Sequence, residues 1–387
     1  MNIDDRIERR LGHDGGGGGV LSDANAVSPV AHSSSPTGRG PDLERLLDVL
    51  DPAFTGSLPP SVYVHGPKGS GKSAVMTALF GRLSEHGGRR QVIHTSTRAV
   101  DPTLPEFVYV DTRRASTRFR LYHDALAAVS DRPVPDHGIG TDELVSRLGS
   151  TVGSGTDLVV ALDHVNEPNT PDAATAVEWL ADVSDRIVPM CLGRDPPERL
   201  GWSAETSIAF DRYRHHVLVE LLATRTSSGL TRDAVTHDQI REVAEWAAGD
   251  AHDALSAIVG AALHAERTGA ATIRHDDLDA GIEAVPKPCV ALGRVLVLSE
   301  NRRRLLYELI TLPESDRGSV NAATEAIAAA DAVDLSASTI RRVLYELADA
   351  GLLDRVTVER SDGKGRPPSR LVPGFPTLVF RELFERE

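Results

Sequence analysis

Four short stretches are apolar at almost every position: SVYVH (61–65), FVYVD (107–111), LVVALD (158–163) and IVPMCL (187–192). A run without polar alternation suits a strand buried on both faces, as in a parallel sheet. Between these runs the apolar residues fall three and four apart, which predicts helices over 73–85, 118–129, 141–148 and 172–183. Ahead of the first run, Leu43, Leu46, Leu47 and Leu50 repeat at helical spacing. Strands alternating with helices predict an α/β domain with a parallel sheet over residues 41–212.

From about residue 213 the strand signal fades. THDQIREVAEWAAGD (236–250) opens with Thr236 and Gln239 at capping-box spacing, and DAHDALSAIVGAALHAERTG (250–269) and HDDLDAGIEAV (275–285) continue the helical pattern. Residues 213–285 therefore read as a small helical domain, and PKP (286–288) as a linker. Beyond it, residues 286–387 read as a separate unit. NRRRLLYELI, NAATEAIAAA and SASTIRRVLYELADAGLL predict three helices, the third with Ile340, Val343, Leu344 and Leu347 on one face and Ser336 or Ser338 as cap. DRVTVERSDGKGRPPSRLV predicts two strands around a tip rich in glycine, proline and arginine. Three helices and a two-stranded wing make a winged helix-turn-helix, a layout used on DNA. Residues 1–40, with GGGGG, SSSP and TGRG, are of low complexity and are assigned no fold.

Composition narrows the classes. Hydrophobic content of 41% and charged content of 25% over 387 residues are those of a globular protein with real cores. No apolar run reaches membrane-spanning length and MNIDDRIERR has no signal-peptide character, so a cytoplasmic protein is expected. Two cysteines, Cys191 and Cys289, make neither a disulfide framework nor a zinc site. The net charge is −14, and only Lys68, Lys72, Lys287 and Lys364 are lysines among 42 basic residues. Acid excess with few lysines is similar to proteins of salt-loving organisms, where screening makes global charge a poor guide to partners. From Lys287 onward basic and acidic residues balance at 15 each, so the acid excess lies entirely before it.

The chemistry concentrates in HGPKGSGKSAV (65–75), which fits G-x-x-x-x-G-K-[ST] between a strand and a helix. The glycines let consecutive backbone N–H groups face one concavity and cradle phosphate. The stretch Gly66, Pro67, Lys68, Gly69, Ser70, Gly71, Lys72, Ser73 and Ala74 is the candidate binding loop for ATP or ADP. Lys72 is placed to neutralise phosphate charge and Ser73 to bring a hydroxyl to Mg²⁺. Asp163, at the end of the third apolar run, is the acid that such a site needs near the metal. The lone histidines His123, His137, His215, His216 and His237 read as surface or loop residues, and the three tryptophans as packing residues.

A phosphate loop, a helical domain and a winged helix, in that order, resemble the archaeal origin-recognition/cell-division-control family of AAA+ replication initiators from about Pro41 onward. YVDTRRASTRFRLYHDAL (109–126), VPDHGIGTDELVSRL (134–148) and AAGDAHDAL (247–255) are also similar to local stretches of that family. The resemblance implies an ATP-bound, Mg²⁺-dependent switch with the helical domain as a lid, duplex DNA as partner, and a replicative helicase or further copies of the chain assembled on it. Three positions depart from the family pattern. Where the family has Asp-Glu after the third strand, this chain has Asp163-His164, so His164 stands at the water-polarising position. A neutral imidazole can accept a proton, but its reach differs from a carboxylate's, and weak hydrolysis is expected. Glu167 is near, three positions late. Arg194 falls at the polar sensing position of the fourth strand, and His252 at the lid arginine that reaches the γ-phosphate. Arg199 or Arg212 could serve as the arginine acting across subunits.

On the winged unit, Arg341, Arg342 and Tyr345 lie off the apolar stripe, and Lys364, Arg366 and Arg370 sit at or beside the wing tip. These are the candidate DNA contacts; Arg302–Arg304 add a basic patch. The competing reading pairs Arg341 and Arg342 with Glu346 or Asp349 on a solvated face. Two further functions stay open: a transcription regulator or mobile-element protein on an operator, and an ATPase with a protein partner.

Overall fold

The computed structural model describes residues 19–89, 104–153, 155–330, 332–357 and 369–386. Its first half is built on a five-stranded parallel sheet in the order β2-β3-β4-β1-β5. The strands are β1 Val62–His65, β2 Glu106–Asp111, β3 Leu158–Asp163, β4 Ile187–Gly193 and β5 Thr206–Ala209. β3 lies between β2 and β4 and is buried at every position, which is why its sequence carries no alternation. β5 is the strand that the apolar runs do not predict. It is a sheet edge with one buried residue, Ile208, so it has no run to show.

The pleat divides the apolar residues between two layers. Val159 and Ala161 pack with Val62, Val64, Met76 and Phe80 on one face, and Val160 and Leu162 with Leu121, Tyr122 and Leu144 on the other. Each of the Val, Leu, Met and Phe side chains contributes roughly 1.5–3 kcal/mol on burial. The register sets His65 beside Gly193 and Ala209, and Asp163 beside Leu192 and Asp111. The carboxyl ends of β1, β3 and β4 therefore meet at one edge, the place where open α/β sheets bind ligands.

The helical domain comprises His215–Gly229, His237–Ala247, Ala251–Arg267 and His275–Glu283. Thr236 and Gln239 form the capping box that their spacing predicts. Ala251–Arg267 is buried along almost its whole length. A Cβ on Gly281 would lie 2.4 Å from the Ala257 carbonyl, so the last two helices touch backbone to backbone.

The third unit contains Glu300–Thr311, Val320–Ala328 and Ala337–Asp349, capped by Ser336, and β6 Leu353–Thr357 antiparallel to β7 Ser369–Pro373. A helix at Thr377–Glu385 follows, for which the sequence reading made no provision. The last hundred residues pack against the helical domain. Phe375, Val379 and Phe380 share one apolar core with Ile258 and Ala261 of the helical domain. The Thr377 amide also donates to Ala284 at 3.2 Å.

The described part of the segment assigned no fold is ordered. Val20 and Val27 are fully buried against the helical domain. The amides of Ser22 and Asp23 donate to Gly229, and Arg225 donates to the carbonyls of Ala26, Ser28 and Ala31. Two valines and a set of backbone bonds hold this strap, and neither leaves a periodic trace in a sequence of small polar residues. His123 is also buried, stacked on Phe119, where a surface residue was expected. No helix among the described residues is long and apolar enough to cross a membrane.

Candidate nucleotide site and nucleic-acid interface

The phosphate loop turns out of β1 and enters the helix Lys72–Arg89. Gly69 and Gly71 have φ of +70° and +84°, a region open to glycine and strained for other residues. A Cβ would lie 2.0 Å from Asp250 Oδ1 at Gly69 and 2.5 Å from the Tyr213 hydroxyl at Gly71. The loop thus needs glycine for its conformation and for its close contact with the helical domain. Lys72 folds over it, donating to the carbonyls of Gly66 (2.7 Å) and Pro67 (3.0 Å). Burial pushes its pKa down to about 8, against the attraction of Asp163.

A pocket opens at this loop. Its walls include Gly69–Ala74, Asp163 and Arg194, together with Tyr213 and Leu255 of the helical domain, Pro29–His32 of the strap, and Ala291 and Gly293. The strap's part is a contribution that the sequence reading missed. Asp163 is 1% exposed. It accepts hydrogen bonds from Tyr109 (2.6 Å) and from the His164 amide (2.7 Å), and lines the pocket with Ser73. Burial alone would raise its pKa, but His164, Ser73 and Tyr109 outweigh it and hold the carboxyl below the usual range.

His164 takes a left-handed backbone, φ +68°. Its ring folds back so that Nε2 is 3.5 Å from Asp163 and Nδ1 3.2 Å from Glu167. Asn166 is left-handed too, and Thr170 ties the turn to the Glu167 amide at 2.9 Å. Glu167, three positions late along the chain, is thereby carried into the site. Arg194 pairs with the same oxygen at 2.9 Å, while Glu167 Oε2 is buried with no partner. Burial favours the neutral acid, but His164 and Arg194 prevail and lower its pKa.

His252 reaches the pocket wall but is engaged elsewhere. Its Nε2 accepts from the Leu292 amide at 2.9 Å, which puts the proton of the neutral ring on Nδ1, 3.1 Å from Asp253. Burial lowers its pKa and favours that neutral ring. Lys68 turns from the phosphate concavity to Asp250 and Asp253. Arg199 and Arg212 are exposed and lie outside the pocket lining.

On the winged unit the expected cations are only partly available. Glu346 binds Arg342 and also Arg302 (2.7 Å), so the solvated-face pairing is present. Arg341 is half-buried, and Arg370 is exposed on β7. Tyr345 lies beneath Arg355 of β6, 4.8 Å from guanidinium to ring centroid. Arg355 is a candidate that sequence reasoning missed; its place in the first strand of the wing was the available signal. Lys364 and Arg366 lie outside the described residues.

A family model for the AAA ATPase domain matches residues 35–193. With the parallel sheet, the helical domain and the winged unit, this defines the class: a P-loop AAA+ protein carrying a winged helix. The chain is 27% identical to the ORC1-type DNA replication protein 6 of Halobacterium salinarum over 85% of its length and 86% of that protein's. It is 25% identical to protein 5 of the same type and organism, over 91% and 88%. The solved structure of the Aeropyrum pernix ORC1 protein in complex with DNA has the same fold, with a TM-score of 0.62 at 20% identity over 95% of this chain and 97% of that one. Over most of its length the chain is similar to archaeal ORC1-type DNA replication proteins.

The residues present fit a nucleotide and its metal. The glycine turn is a cradle that side chains would fill. Ser73 and Asp163 bring two oxygen donors to the same pocket, the donor type that Mg²⁺ takes.

Proposed function

We infer that the chain is an ATP/ADP-binding, duplex-DNA-binding protein of the replication-initiator type, acting in the cytoplasm on origin-like DNA. The observation that carries this reading is the glycine-forced loop Gly66–Ser73, facing Asp163 beneath the helical domain, in a chain that also carries a winged helix. Lys72 and the loop amides would hold the phosphates, and Ser73 and Asp163 the Mg²⁺, which supplies charge neutralisation between phosphate oxygens. The winged helix would meet DNA through Arg341, Arg342, Tyr345 and Arg370 on its described part. Its relatives are named for DNA replication, and the Aeropyrum ORC1 structure contains DNA. Loading of a helicase and assembly of copies on DNA are the finer parts of the same reading.

Hydrolysis is weak in this account. His164 is clamped between Asp163 and Glu167, and the charges of His164 and Arg194 at one oxygen of Glu167 lower the basicity of that carboxylate, so neither makes a strong base. The test is ATP turnover in concentrated KCl, with and without duplex DNA, for wild type, Lys72→Ala and His164→Glu, beside anisotropy titration of a labelled duplex. Expected are DNA binding, low wild-type turnover and a gain in His164→Glu. Brisk wild-type turnover that Lys72→Ala removes would show a working ATPase. Absence of duplex binding would overturn the DNA-binding half.

A further inference from the structure

Lys68 belongs to the phosphate loop, yet its ammonium is held by the helical domain. It lies 2.9 Å from Asp250 Oδ2 and also pairs with Asp253, at the cap and first turn of Ala251–Arg267. All three side chains are largely buried, 14%, 5% and 9% exposed. His252 Nδ1 is 3.3 Å from the same ammonium, and His252 Nε2 accepts from the Leu292 amide in the segment leading to the winged unit. Two residues on, Arg294 donates to the Ala350 carbonyl at 2.6 Å, at the end of the helix that carries Arg341, Arg342 and Tyr345. Gly293, between them, is pressed against Arg113, whose Nη1 would be 2.4 Å from a Cβ there. Continuous contact thus runs from the phosphate loop to the candidate DNA-facing helix.

The charges in this contact are unequal. One ammonium serves two buried carboxylates, and a buried carboxylate that loses its partner is costly. Polyphosphate in the loop brings several negative charges within reach of the same flexible side chain, and Lys side chains bind phosphate as point charges. His252 cannot compete for phosphate, because both ring nitrogens are engaged.

We propose that Lys68 is a latch between nucleotide and domain position. It fastens the phosphate loop to Asp250 and Asp253. Phosphate competes for its ammonium, and the loss of that pairing loosens the helical domain's hold on Leu292 and the winged unit. The latch rests on reading the pocket as a nucleotide site.

The test is a double-mutant cycle with N-methylanthraniloyl-ATP as the probe, on wild type, Lys68→Met, Asp253→Asn and the double variant. Hydrogen exchange at the Leu292 amide is followed with and without ATP. Asp253→Asn keeps the shape of the side chain and removes its charge, so phosphate should win Lys68 and binding should tighten roughly five- to tenfold. The gain should vanish in the Lys68→Met background. ATP should speed exchange at Leu292 in wild type and not in Lys68→Met. Asp250→Asn, which retains a helix-capping residue, should repeat the gain if Asp253→Asn folds poorly. A wild type that does not bind the probe overturns the nucleotide reading, and the latch with it. Binding with no Lys68-dependent gain, or with Leu292 exchange indifferent to ATP, overturns the latch alone.

Discussion

The phosphate-loop pocket and the winged face both gather charged side chains, and they hold them differently. In the pocket Asp163 is 1% exposed and Glu167 8%, and both have fixed partners: Tyr109 and His164 on the first, His164 and Arg194 on the second. On the winged face Arg342 is 65% exposed, and it shares Glu346 with Arg302. A buried charge is tolerated only with its partners in place, so Asp163 and Glu167 are held in one arrangement. An exposed pair contributes about 0–1 kcal/mol and rearranges readily, so the winged face is defined by its potential more than by any one contact. Changes in the pocket should therefore act sharply on stability and nucleotide binding. Changes on the winged face should act mildly, on DNA affinity and its salt dependence.

Gly69→Ala tests the pocket most severely. The new Cβ combines a left-handed φ with overlap on Asp250, and should cost about 2–3 kcal/mol, read as a lowered midpoint in thermal unfolding. A wild-type melting curve would mean that the loop and the helical domain are not pressed together. Asp163→Asn should weaken Mg-ATP binding about tenfold while leaving metal-free ATP binding within about twofold, since on the proposed reading the lost charge would face the metal. Equal losses in both conditions would assign Asp163 to packing alone.

The smallest effect belongs to the winged face and has the opposite sign. Glu346→Gln removes one negative charge and frees Arg302 and Arg342 for phosphate contacts. Duplex affinity should rise about threefold, and the dependence of log affinity on log salt should steepen by about one ion. A fall in affinity would mean that Glu346 holds those arginines in their DNA-binding positions.

These regions also differ in how far the chain announces them. Strands buried on both faces show as apolar runs, and the phosphate loop as fixed glycines before a lysine, because each needs particular residue types at adjacent positions. β5 is silent because an edge strand buries only Ile208. Glu167 was legible as near but not as part of the site, since the left-handed turn through His164 and Asn166 shortens a path that spacing alone leaves long. His252 was placed by position at the phosphates, whereas its ring serves Leu292 and Asp253, a choice made by a distant backbone amide. The strap at 19–39 and the shared core around Phe375 and Phe380 depend on surfaces that form only once other elements have folded.

The central claim is that the Gly66–Ser73 loop forms a nucleotide site. Calorimetric titration of ATP with Mg²⁺ into wild type and Lys72→Ala, in concentrated KCl, tests it most directly. The account predicts one ATP per chain for wild type and an affinity at least about a hundredfold weaker for the variant, as loss of a buried charge-assisted contact requires. Equal binding by the two proteins, or no binding by wild type, would contradict it.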